Sequence, residues 1–171
     1  MNIETNIAPK DPSDQLLDAK EEARQYLLAD DITYAVLREK LFDSNINDVD
    51  YPDFSVEPTL KRDDSMQSMF GLRVRKSRST LEGEVESSPA LYEHLDLGKL
   101  DRETGIAHAS PELKGLVVSA GLEEGAALNV IQAWQRSIQI ISGRMGDLVI
   151  IDPYSHTFEL KSAVEQRASA L

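Results

Sequence analysis

Apolar positions recur every three or four residues between Gly125 and Gly143, where Ala127, Val130, Ile131, Trp134, Ile138 and Ile141 line one side of GAALNVIQAWQRSIQIISG. That period predicts a helix, begun behind the acids Glu123 and Glu124 and stopped by Gly143. The polar positions are Asn129, Gln132, Gln135 and Gln139, and the only charge is Arg136. Amide side chains can hydrogen-bond inside a protein contact without the desolvation cost of a buried charge, whereas a helix face left to solvent usually carries Glu and Lys. The helix is therefore expected to be packed on most of its circumference, by this chain along the Trp134 stripe and by a partner along the amide side.

Upstream, residues 1–12 hold Pro9 and Pro12 without an apolar period and read as a flexible arm. Ser13 or Asp14 is placed to cap a helix through about Ala29, with Leu16, Ala19, Ala23, Tyr26 and Leu27 on its apolar side. Asp30 or Asp31 offers a second cap, and Ile32, Ala35, Val36 and Phe42 carry a helical period to about Asp43. Two antiparallel helices with a tight Asp-Asp turn follow from this. Residues 44–68 show no sustained period and contain Pro52 and Pro58, so they are expected to be irregular.

Met69 to Lys76 sets Phe70, Leu72 and Val74 against Arg73 and Arg75, the alternation of a half-exposed strand. Ser88-Pro89 and Ser110-Pro111 each put a hydroxyl at a helix N-cap and proline at the first helical position. They predict short helices over ALYEHLDLG and ELKGLVVSA, the second ended by Gly121. After the long helix, GDLVIID reads as a five- or six-residue buried strand between Gly146 and Pro153. A short strand over 157–160 and a terminal helix come next, or else one continuous helix from about Ser155.

The fold class expected is α+β and predominantly helical. It comprises an arm (1–12), a helical hairpin (13–43), an irregular acidic segment (44–68) and a helix-rich α+β core (69–171). In that core the long helix packs on a small sheet built from 69–76, 147–152 and 157–161.

With 171 residues, 41% of them hydrophobic, the chain is long enough for one ordinary core. The net charge of −12 is unevenly placed, because residues 1–60 hold 14 acids against 5 bases while residues 61–80 hold 2 against 6. Binding to nucleic acid or to anionic membrane relies on cations that neutralise phosphate, so this balance disfavours both and suits a protein partner or a homo-oligomer. The absence of cysteine removes disulfides and thiolate chemistry and fits a reducing compartment. No basic, apolar leader opens the chain and no stretch is apolar enough to span a bilayer. A location in the cytoplasm, or in a particle assembled there, is expected.

The chemical motifs are weak. Asp43, Asn45 and Asn47 match the first oxygens of a calcium loop, but Asp48 stands at its turn glycine, Phe54 at its bidentate glutamate, and Pro52 blocks the exiting helix. That run reads as a solvated acidic loop. His94, His108 and His156 have no metal-ligand spacing, and neither a G-x-S-x-G nor an S-x-x-K nucleophile motif occurs. Gly143 and Gly146 lie between helix and strand, the reverse of the order in which a phosphate loop sits. No catalytic, cofactor-binding or metal-ligating residue is assigned, and no cofactor is expected.

The basic island LRVRKSRST is better suited to docking against an acidic protein surface, of the same or a neighbouring subunit, than to nucleic acid, since Phe70 is its only nearby aromatic. The expected interface set is Asn129, Gln132, Trp134, Gln135 and Gln139 on the long helix with Arg73, Arg75 and Arg78 on the island. The expected function is that of a non-enzymatic structural or adaptor subunit of a larger assembly, such as a virion or secretion apparatus. The competing expectation is an acidic inhibitor or immunity-type protein that blocks a basic enzyme.

Overall fold

The computed structural model describes residues 10–43, 54–62, 66–76 and 91–170. Among these, helices α1 (Pro12–Ala29) and α2 (Asp31–Asp43) precede strands β1 (Phe54–Arg62), β2 (Gln67–Lys76), β3 (Leu91–Asp101) and β4 (Ala107–Ala109). Helices α3 (Pro111–Ser119) and α4 (Ala126–Met145) follow, then a 3₁₀ turn, strands β5 (Val149–Ile151) and β6 (Phe158–Leu160), and helix α5 (Lys161–Ala170). The protein is α+β and rich in helix, as its periodicities predict.

Capping side chains fix several boundaries. Asp11, rather than Ser13 or Asp14, caps α1 by accepting from the Ser13 N–H, with Pro12 at the first turn. Asp30 caps α2 by accepting from the Thr33 N–H at 2.9 Å, and Ser110 caps α3 by accepting from the Leu113 N–H at 2.9 Å. The long helix runs past Gly143 and stops at Gly146, whose φ of 57° suits a residue without Cβ.

The sheet differs from expectation. Four antiparallel strands lie in the order β1-β2-β3-β4, and β5 pairs only with β6 in a separate ribbon. Two segments read otherwise from sequence supply sheet strands. β1 falls inside the stretch expected to be irregular, and β3 occupies most of the segment expected to be helical behind Ser88-Pro89, a dipeptide outside the described residues. In β3 the inward positions are Leu95 and Leu97, both fully buried. Their spacing is that of a strand, and it outweighs the helix-start signal. The expected flexible arm lies outside the described residues for 1–9, as does the loop over 44–53. β5 spans three residues, with only Val149 buried, so the buried strand expected there is shorter and more exposed.

α4 organises the interior. Its Val130, Ile131, Ala133 and Trp134 share one core with Leu27, Val36 and Leu37 of the first two helices, Phe70 and Leu72 of β2, Leu95 and Leu97 of β3, and Leu113 and Val117 of α3. Its Ile141 and Met145 join a second cluster with Leu16, Ala19 and Ala23 of α1, Val149 and Phe158, and Ile138 touches both. α1 packs most extensively along α4 and less on α2. Tyr26, expected on the apolar side of α1, is 40% exposed.

Candidate functional site

The residues expected to form an interface divide into three groups. Asn129, Gln132, Gln135 and Gln139 are all exposed along one side of α4. Trp134 is not with them. It is 5% exposed, its ring centroid lies 4.6 Å from that of Phe70, and its Nε1 donates to the Thr59 carbonyl oxygen at 3.2 Å. The indole is a core residue with its polar atom satisfied, so it is not available as an interface anchor.

Arg73 of β2 faces Glu57 in the β1 register and lines a groove with Lys20, Glu21 and Arg24 of α1. The start of the basic island therefore lies against the acidic N-terminal third of the same chain. Arg75 pairs with Ser55 in backbone register, and its side chain, like the whole of Arg78, is outside the described residues.

The three histidines come from three different elements. His94 projects from β3 over Gly71 of β2, where an added Cβ would come within 3.0 Å of its ring and 2.3 Å of the Leu95 carbonyl oxygen. Its Nε2 lies 3.0 Å from the Oγ1 of Thr59, a buried residue of β1. The ring edge reaches solvent, yet this packing desolvates the imidazole and lowers its pKa. Asp96 and Glu112 oppose that shift, while Lys40 and His156 reinforce it. His108 stands elsewhere, exposed on β4.

His156 belongs to the turn between β5 and β6, and it is the only non-glycine residue with positive φ among those described, at 59°. Main-chain bonds hold it there. Its N–H donates to the Asp152 carbonyl at 2.8 Å, and its carbonyl accepts from the Leu60 N–H of β1 at 3.1 Å.

Asp152 anchors the same turn. It is 2% exposed, and its Oδ2 accepts from the Ser155 N–H at 3.2 Å and the Ser155 hydroxyl at 2.9 Å. Arg167 of α5 lies 3.0 Å away and also pairs with Glu159. Burial works to raise the pKa of Asp152, but the bonds from Ser155 and from the Tyr154 N–H, with the Arg167 charge, outweigh it and hold the carboxyl below its ordinary value.

Sequence reading missed this convergence, because His94 was expected on a helix and no spacing links β1, β3 and the 152–157 turn. The one local signal was Asp152-Pro153, a turn-forming pair followed by a hydroxyl. A cleft of about 590 Å³ opens between these elements, bordered by Thr59, Lys61, Arg73, His94 and His156. Thr59 and His94 form a hydroxyl–imidazole pair. Thr59 is buried, however, and among the described residues no carboxylate hydrogen-bonds the ring, so the pair lacks the orienting third group of a nucleophilic set.

Among the described residues no three His, Asp or Glu side chains are grouped to hold a metal ion, and no helix is long and apolar enough to cross a membrane. No protein-family model, curated protein or solved structure matches this chain.

Proposed function

We propose that the chain is a non-enzymatic structural or adaptor subunit of a larger macromolecular assembly, working by protein–protein contact through α4. The observation that carries this reading is the exposed row Asn129, Gln132, Gln135 and Gln139 on a helix whose opposite side is the core of the molecule. Neighbouring Leu128 is 57% exposed and adds apolar area at the start of the row. This surface of amides with an apolar neighbour carries one charge, Arg136, which donates to Gln139 at 3.5 Å, and is cheaper to desolvate than the several Glu and Lys usual on solvent-facing helices.

The competing reading, an acidic inhibitor steered onto a basic enzyme, draws less support. Three of the acids on α1 already have basic partners within the chain: Asp18 with Lys10, Glu21 with Arg24, and Glu22 with Arg144.

Light scattering at low and high salt tests the choice. A salt-resistant oligomer that dissociates on Gln135→Glu supports the α4 contact, since the substitution puts a charge into the contact without touching the core. An oligomer whose size the substitution leaves unchanged removes that face. A monomer that captures a basic protein only at low salt favours the inhibitor.

A further inference from the structure

The cleft beneath the 152–157 turn has a chemistry that the α4 contact does not use. In a chain of net charge −12, its border carries Lys61, Arg73, His94 and His156 against one carboxylate, Glu93. Lys61 is exposed and has no ion-pair partner among the described residues. Ser155 stands beside His156 on the same border, with its hydroxyl bonded to Asp152, Thr157 and Glu159. The volume of about 590 Å³ lies within the range of small-molecule sites.

The scaffold behind these donors is rigid. His94 is seated over Gly71, a position where no side chain fits, and is bonded to buried Thr59. His156 is held at an unfavourable φ by main-chain bonds at both its N–H and its carbonyl. A non-glycine residue kept in this region by surrounding bonds is a feature that concentrates at ligand sites.

We infer that this cleft binds the phosphate group of a small molecule, with Lys61 and Arg73 supplying fixed positive charge and His94 and His156 supplying imidazole donors. A phosphate monoester carries close to two negative charges at neutral pH, and the border meets them with the Lys61 ammonium, with Arg73, which stands opposite Glu57 in the β1–β2 register, and with histidine protonation. A bound dianion would favour protonated His94 over the neutral ring, against the desolvation and the Lys40 and His156 charges that depress it and alongside the Asp96 and Glu112 charges that already oppose them.

The three histidines provide the assay, because two border the cleft and His108 does not. Imidazole resonances of the full chain, labelled with ¹⁵N, are followed by NMR during titration with inorganic phosphate, with succinate and with chloride at matched ionic strength. Phosphate is expected to shift His94 and His156 saturably, to leave His108 in place, and to raise the His94 pKa by half a unit or more. Lys61→Ala, an exposed change whose folding the His108 signal reports, is expected to weaken the apparent affinity at least fivefold. Equal movement of all three histidines, an unchanged titration in Lys61→Ala, or an equal response to chloride would overturn the site. Tighter saturation by succinate would overturn its assignment to phosphate.

Discussion

The Nε1 of Trp134 donates to the main-chain carbonyl of Thr59, 75 positions earlier in the chain, and so ties the middle of α4 to strand β1. The same ring packs on Phe70 of the neighbouring strand β2. One side chain thus sets the position of the long helix on two strands of the sheet.

Trp134→Phe retains an aromatic ring but removes the indole hydrogen bond to the Thr59 carbonyl. A hydrogen bond lost costs about 0.5–1.5 kcal/mol net, and the smaller ring adds a packing loss. Urea unfolding of the variant is expected to show a lower midpoint with an unchanged slope. A midpoint equal to that of the native chain would mean that the indole N–H contributes nothing to the fold.

Gly71→Ala tests the seat of His94. The new methyl would meet the Leu95 carbonyl at 2.3 Å, so β3 must shift or the strands must part. Overpacking of this kind costs about 1–3 kcal/mol. Thermal melts should show the loss, and the His94 imidazole resonance should move with it.

The depressed pKa of His94 gives stability a definite slope with pH. As pH falls below about 6.5 the unfolded chain protonates this histidine before the folded one does. The unfolded state then holds more protons, and stability declines until the folded ring is protonated as well. The melting temperature is expected to drop between pH 7.5 and 5.5, and part of that drop should vanish in His94→Gln. Parallel pH profiles for the two proteins would remove His94 as a source.

Asp152 acts in the same direction but at lower pH. Its carboxyl is held below the ordinary value, so its stabilisation is complete above about pH 4 and is lost as pH falls through the lower folded pKa. Asp152→Asn removes the ion pair to Arg167 while Glu159 still holds that side chain. Amide exchange in α5 and in the 152–157 turn should quicken, and unfolding below pH 4 should lose part of its pH dependence.

His156→Gly separates geometry from chemistry. Glycine adopts φ near 59° without the cost of roughly 1 kcal/mol that an L side chain incurs there. The variant is expected to melt at or above the native temperature while losing one imidazole from the cleft. A substantial drop in melting temperature would show that the ring itself supports the turn.

Helix periodicity was the dependable signal in this sequence. The stripe from Ala127 to Ile141 and the Leu16, Ala19, Ala23, Leu27 series locate α4 and α1 because each repeats over several turns and meets the core. The same pattern marked the amide row that α4 leaves exposed. The sheet was harder to read. β1 contains Pro58 and reads as loop until β2 pairs with it, and β3 follows a Ser-Pro dipeptide that resembles a helix start. Strand identity there rests on partners distant in sequence, which no local pattern carries. For the same reason the His94–His156 cleft was invisible, since it is assembled from β1, β3 and a turn near the C-terminus.

Pro58 and the Leu60–His156 bond have a further consequence for how copies of this chain meet. Among the described residues β1 is one edge of the sheet, and it carries a proline that lacks an N–H and, two positions on, Leu60, whose N–H is already taken by the turn. The other edge, β4, is only three residues long. Among the described residues neither border offers a long, uninterrupted ladder to an incoming strand, so edge-to-edge stacking of one sheet on another is disfavoured there.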